Sequence, residues 1–286
     1  MLIDDGSARR FGPALVWAWR EGVEELHVLV EGVLGAGVVA RRAAELAIPP
    51  LVWTVSGWSL VPAVAAAELA SADPVDLAWV EVLEAHGADA VVEHGVLRGE
   101  VLGLEVARVV DGGRLEVGVG RHDRHARAEL WGDVDPGAAL DEAVGAVRAR
   151  RGAGAAAHPA NTLARSRWLR AVVCARPALA GAGVPLRPVA PPLPLPDLTD
   201  NGAVPCVGDG LVVVCSTGVD PDLVPTAADA RRLYQPDARL VIVVPESDDH
   251  PVTVALAGAL ARPASVRTVP RGWEGLIPSG RIPSGP

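Results

Sequence analysis

A pattern that appears near both ends of the chain limits its fold more than any other feature. Leu26–Glu31 is an apolar run ending in an acid, followed by a helix-like stretch over about 37–47 and a second apolar run, Leu51–Val55, closed by Gly57-Trp58. The same order returns at Leu240–Glu246, about 252–260, Val266–Val269 and Gly272-Trp273. Glu31 lies 27 positions before Trp58, and Glu246 lies 27 before Trp273. Each copy also has a strand-like run and a helical stretch ahead of it: Met1–Asp4 before 8–20, and Leu211–Cys215 before Leu223–Tyr234.

Short β-branched runs separated by helical stretches predict parallel strands buried on both faces. Each end is therefore expected to form a βαβ-rich unit resembling half of a doubly wound, Rossmann-like fold. The two units are expected to pack together, in the limit as one continuous sheet. The middle reads differently. A helix over 75–85 precedes strand-like segments at Ala90–Val96, Val101–Val110 and Arg114–Gly120, with Asp111-Gly112-Gly113 as a hairpin turn. Helices over 137–151 and 161–176 follow, the first opened by Asp135-Pro136. Eight prolines between Pro177 and Pro205 predict an extended strap, because proline removes donors and fixes φ. The expected organisation is α/β. It has an N-terminal βαβ unit at 1–60, an α+β middle segment at 74–176, the strap at 177–209, a C-terminal βαβ unit at 210–275 and a frayed tail at 276–286.

Composition excludes several chemistries. All 26 basic residues are arginine, as codon bias in a GC-rich genome would produce. Without lysine there is no Schiff base, no P-loop lysine and no kinase lysine, and arginine stays protonated and cannot serve as a base. A net charge of −9 disfavours nucleic acid as a partner. The arginines of 148–151 and Arg165, Arg167 and Arg170 read as solvated helix faces. No apolar stretch spans a bilayer and the N-terminus lacks a signal-peptide pattern, so a soluble, cytoplasmic protein without a membrane partner is expected. Cys174, Cys206 and Cys215 are widely spaced, which supports neither a zinc nor a redox motif. Cys174 and Cys215 read as core.

Two groups of residues could carry chemistry. At the strand ends of the C-terminal unit stand Ser216, Thr217, Gly218 and Asp220, then Glu246, Asp248, Asp249 and His250. Ligands of doubly wound sheets sit at such ends, and these residues would bind a cofactor or nucleotide there, although the same residue types are ordinary helix caps. In the middle segment Glu105, Glu116, His122 and Asp123 are candidate ligands for a divalent cation, which prefers oxygen donors. A helix followed by acidic strands is loosely similar to restriction-endonuclease-type nucleases, whose usual lysine is missing here. Surface ion pairs with Arg108 and Arg121 account for the same acids. Gly35-Ala36-Gly37-Val38-Val39-Ala40 has the G-x-G-x-x-A form of a dinucleotide fingerprint, but no acid closes the next strand.

Three classes of function fit. An interaction or assembly protein, including a homo-oligomer, leads. A small-ligand or nucleotide-binding module follows, and then a metal-dependent hydrolase of phosphate esters or nucleic acid.

Overall fold

The computed structural model describes residues 2–3, 7–67, 77–110, 112–120, 123–124, 135–151, 158–195 and 202–277. Among these the chain is a mixed α/β protein of seven α-helices and three sheets. No helix among them is long and apolar enough to cross a membrane.

The N-terminal sheet contains β1 (Leu2–Ile3), β2 (His27–Val30), β3 (Leu51–Ser56) and β4 (Ser59–Pro62), in that order. The first three are parallel and β4 folds back antiparallel on β3. Helices α1 (Phe11–Glu21) and α2 (Val33–Ala43) connect the parallel strands. In α2, Ala36, Val39 and Ala43 are buried at helical spacing. Helix α1 ends where Gly22 takes φ 63°, a left-handed conformation that glycine adopts at no steric cost.

The middle segment begins with α3 (Val80–Ala85). A four-stranded antiparallel meander follows: β5 (Asp89–Glu93), β6 (Val96–Val101), β7 (Leu104–Val110) and β8 (Arg114–Val117). It therefore has one more strand than the sequence pattern suggests. His94 and Gly95 (φ 50° and 78°) form a two-residue turn inside the run read as a single strand, 90–96. Leu102 and Gly103 (φ 48° and 74°) form another. Helices α4 (Pro136–Arg150) and α5 (Arg165–Ala175) complete the segment, and the Asp135 side chain accepts from the Ala138 amide at 3.0 Å to cap α4.

The C-terminal sheet has the order β13-β12-β11-β10-β9. Its members are β9 (Arg187–Pro188), β10 (Val204–Gly208), β11 (Leu211–Cys215), β12 (Arg239–Pro245) and β13 (Ser265–Val269). Strands β11, β12 and β13 are parallel, linked by α6 (Leu223–Tyr234) and α7 (Pro251–Gly258). Burial on both faces explains the continuous apolar run of β11. Val213 and Cys215 enter one core with the meander, α4 and α5, while Val212 and Val214 enter a second with α1, α2, α6 and α7.

The two end sheets do not merge, so the expectation of one continuous sheet is corrected. Their helices pack against each other instead, and the segments after α2 and α7 meet in a single antiparallel bridge, Leu46 to Leu260. There the Ala47 amide donates to the Ala259 carbonyl and the Ala261 amide donates to the Glu45 carbonyl, each at 2.9 Å. The contact is tight enough that a Cβ on Gly12, in α1, would lie 2.2 Å from the Pro221 carbonyl oxygen. The segment 35–40 lies within α2, so its glycines form no phosphate loop.

Candidate functional site

The loop leaving β11 passes between the two end units. The Ser216 amide donates to the Val243 carbonyl and the Thr217 amide to Ser166 Oγ, both at 3.1 Å. The Gly218 amide donates to Asp248 Oδ2 at 2.6 Å, and the Asp222 amide donates to Asp220 Oδ1 at 2.9 Å. A cavity of about 420 Å³ beside this loop brings Thr217, Gly218 and Asp220 together with Arg9 and Arg42. His250 is not among its walls. Its Nδ1 accepts from the Val252 amide at 3.2 Å, which caps α7. It borders a separate cavity with Trp19 and Arg20. Glu246 and Asp249 are exposed and line neither cavity. Only part of the strand-end group therefore converges, and the amides named here are held by the chain's own acceptors.

A buried ion network that the sequence did not announce lies behind this loop. Arg41 Nε and Arg42 Nε hold the two oxygens of Asp229 at 2.8 and 2.7 Å, and Arg42 Nη1 reaches Asp222 at 2.8 Å. Asp222 also accepts from the Gly12 amide and the Thr226 hydroxyl. Burial pushes the Asp222 carboxyl up to about 6, against the pull of Arg42. This cluster ties α1 and α2 to α6.

The middle-segment acids form a second network. Glu105 is buried and faces Arg124 at 2.7 Å, Arg108 at 3.1 Å and Arg98 at 3.4 Å. Glu116 pairs with Arg114 at 2.8 Å, and Asp123 accepts from the Val119 amide at 2.8 Å. His122 lies outside the described residues. Among the described residues no group of three or more His, Cys, Asp or Glu is placed to hold a metal ion. Among the described residues, guanidinium groups occupy the Glu105 carboxylate that would anchor such a site.

Arg167 and Arg170, read from sequence as solvated, are buried against the same sheet, and this corrects that expectation. Arg167 holds Glu93 through both guanidinium ends at 2.6 and 2.7 Å and reaches Glu100 at 2.8 Å. Arg170 reaches Glu100 at 2.9 Å and Glu93 at 3.2 Å. Burial alone would raise the Glu93 carboxyl, but Arg167 and Arg170 overcome it and hold it down at about 2. A planar guanidinium can span two carboxylates in this way and a lysine ammonium cannot.

The three cysteines also converge. Cys174 of α5 hydrogen-bonds to Cys206 of β10, which in turn meets Cys215 of β11. The contact with Cys206, then burial, push the Cys174 thiol well above its ordinary range, so it is a poor nucleophile. All three are free thiols. No family model, no curated protein and no solved structure matches this chain.

Proposed function

We propose that the chain is an assembly protein that pairs with a second copy of itself through the outer face of its N-terminal sheet. The observation that carries this reading is the apolar character of that face. Val28, Val30 and Val52 point into the core, so alternation directs Leu29, Leu51, Trp53 and Val55 outward. Leu60 and Pro62 of β4 stand opposite Val55 and Trp53. Leu51, Val55 and Leu60 are exposed, and no described element covers them. Parallel strands are rarely left bare on one face.

The two chain ends, taken as related halves, support the same reading. The C-terminal sheet carries α5 on its second face, and Trp273 there is 2% exposed and packed edge-on against Trp168 at 5.7 Å. Trp58, its counterpart in the sequence pattern, is fully exposed. Among the described residues no such layer covers the N-terminal sheet.

A second copy is the occupant that suits the charge. Among the described residues the ionisable groups at this face are His27 and its partner Glu25, 2.9 Å apart at one end. His27 Nδ1 accepts from Trp53 Nε1 at 3.2 Å, so its proton sits on Nε2 and is donated to Glu25. Two such faces can close on each other without setting like charges together.

Sedimentation equilibrium tests the proposal. A dimer of twice 29.5 kDa is expected. Leu51→Asp with Val55→Asp should yield a folded monomer, weakening association at least about 100-fold, since two carboxylates would enter an apolar interface. A wild-type protein that stays monomeric at about 100 µM, where an interface worth roughly 8 kcal/mol would be closed, rejects it.

A further inference from the structure

We infer that the cleft enclosed by β5, α5 and the segment 177–188 binds an organic monocation, an amine or amidinium carried on a hydrocarbon body. This site lies apart from the outer face of the N-terminal sheet and does not depend on it. The cleft encloses about 660 Å³, within the range of small-molecule sites, which commonly form where separate layers meet. Val91, Val184 and Leu186 are among the side chains that give it apolar walls. Asp89, Glu100, Arg170 and Cys174 are its charged and thiol-bearing groups.

The charges of these groups do not cancel. Glu93 and Glu100 are matched one for one by Arg167 and Arg170. That leaves Asp89, which sits directly across the β5–β6 ladder from Glu100 and makes no hydrogen bond or ion pair among the described residues. It is exposed at the mouth of the cleft. The groups facing it are Glu84 from α3, Glu100 from β6, Arg148 from α4 and Arg170 from α5. Arg148 is engaged with the Gly87 carbonyl at 2.8 Å. Partial enclosure by the cleft, then Glu100, raises the Asp89 carboxyl from 3.8 to about 6, against the pull of Arg170 and Arg148.

One carboxylate on apolar walls defines the ligand class. An anion would face Asp89 and Glu100 together. A hard metal ion needs about six oxygen donors, and only the Asp89 carboxylate is uncommitted here. A protonated amine needs one carboxylate, and its hydrocarbon body gains by covering Val184 and Leu186.

Calorimetry with hexylamine and phenethylamine, against hexanol and hexanoate as uncharged and anionic controls, tests this. At pH 8 both amines should bind, with hexanol and hexanoate at least about tenfold weaker. Asp89→Asn should cost the amines at least about tenfold without lowering the unfolding temperature, because it removes the repulsion between Asp89 and Glu100. Amine affinity should fall as pH drops below about 6, where Asp89 takes up its proton. Amines that give no heat at millimolar concentration, or equal binding by Asp89→Asn, would each overturn the inference.

Discussion

Replacing Arg170 with methionine is expected to cost about 3–5 kcal/mol of folding stability, the usual loss when one partner of a buried ion pair is removed. Methionine fills much of the volume, so the loss comes from charge and not from a cavity. Glu100 Oε2 and Glu93 Oε1 would each lose a donor although both carboxylates are buried. Arg114→Ala is the contrasting case. The Arg114–Glu116 pair is just as short, at 2.8 Å, but the arginine is 65% exposed, so its removal should cost well under about 1 kcal/mol. Making Glu93, Glu100, Arg167 and Arg170 all apolar together should recover most of the loss, since desolvation offsets much of the attraction in such groups. Urea unfolding of the three variants separates these outcomes. An Arg170→Met loss no larger than that of Arg114→Ala would show that the quartet is not a desolvated unit.

The same quartet sets the acid limit. Glu93 is held at about 2, below its ordinary 4.5, so its contribution is complete above pH 4.5 and fades as pH falls toward 2. That contribution is about 3 kcal/mol, at 1.36 kcal/mol for each tenfold change in proton affinity. Asp222 acts in the opposite direction. Its carboxyl is raised to about 6 from 3.8, so the folded state holds that proton more tightly and loses stability as pH rises through this interval. Stability should therefore peak in the weakly acid range, between the two effects. Unfolding measured from pH 2 to 8 checks this, and a monotonic rise to pH 8 would contradict it.

The architecture of the chain ends was legible because it rests on local periodicity. LHVLVE and LVIVVPE are apolar runs too short for helices, each followed by a helix-length stretch, and β2 and β12 lie there. The meander was partly hidden for a local reason. His94 and Leu102 adopt positive φ, where a sequence reading expects glycine or asparagine, so two hairpin turns passed as strand. The charge networks were hidden for a non-local reason. Arg167 and Glu93 are 74 positions apart and Arg42 and Asp222 are 180 apart, and no pattern within either segment reveals which helix face will be covered. One signal was present. Arg167-Trp168-Leu169-Arg170 sets two arginines one turn apart within an apolar helix, which suits buried pairing as well as it suits solvent. The strand-end residues follow the ends of β11 and β12. Residue type alone could not tell whether their donors face a ligand or each other.

Arg42→Met should loosen one half of the molecule more than the other. Arg42 is fully buried and joins three elements: Asp222 and Asp229 of the α6 region and the Ala8 carbonyl ahead of α1. Its loss removes one of the cross-links between the end units and leaves Asp222 without a cation, while Asp229 keeps Arg41. A global cost of about 3 kcal/mol is expected at pH 8. It should shrink at pH 5, because Asp222, already inclined to bind a proton near 6, becomes neutral and no longer needs the arginine. The damage should also be local. Among the described residues the N-terminal sheet has four short strands with one covered face, whereas the C-terminal sheet is covered on both. Amide exchange should therefore accelerate in β2 and β3 while β11 and β12 keep their protection. Equal acceleration in both sheets would mean that the halves unfold as one body, and that the Arg42 cluster is an ordinary part of the core and does not act as a joint.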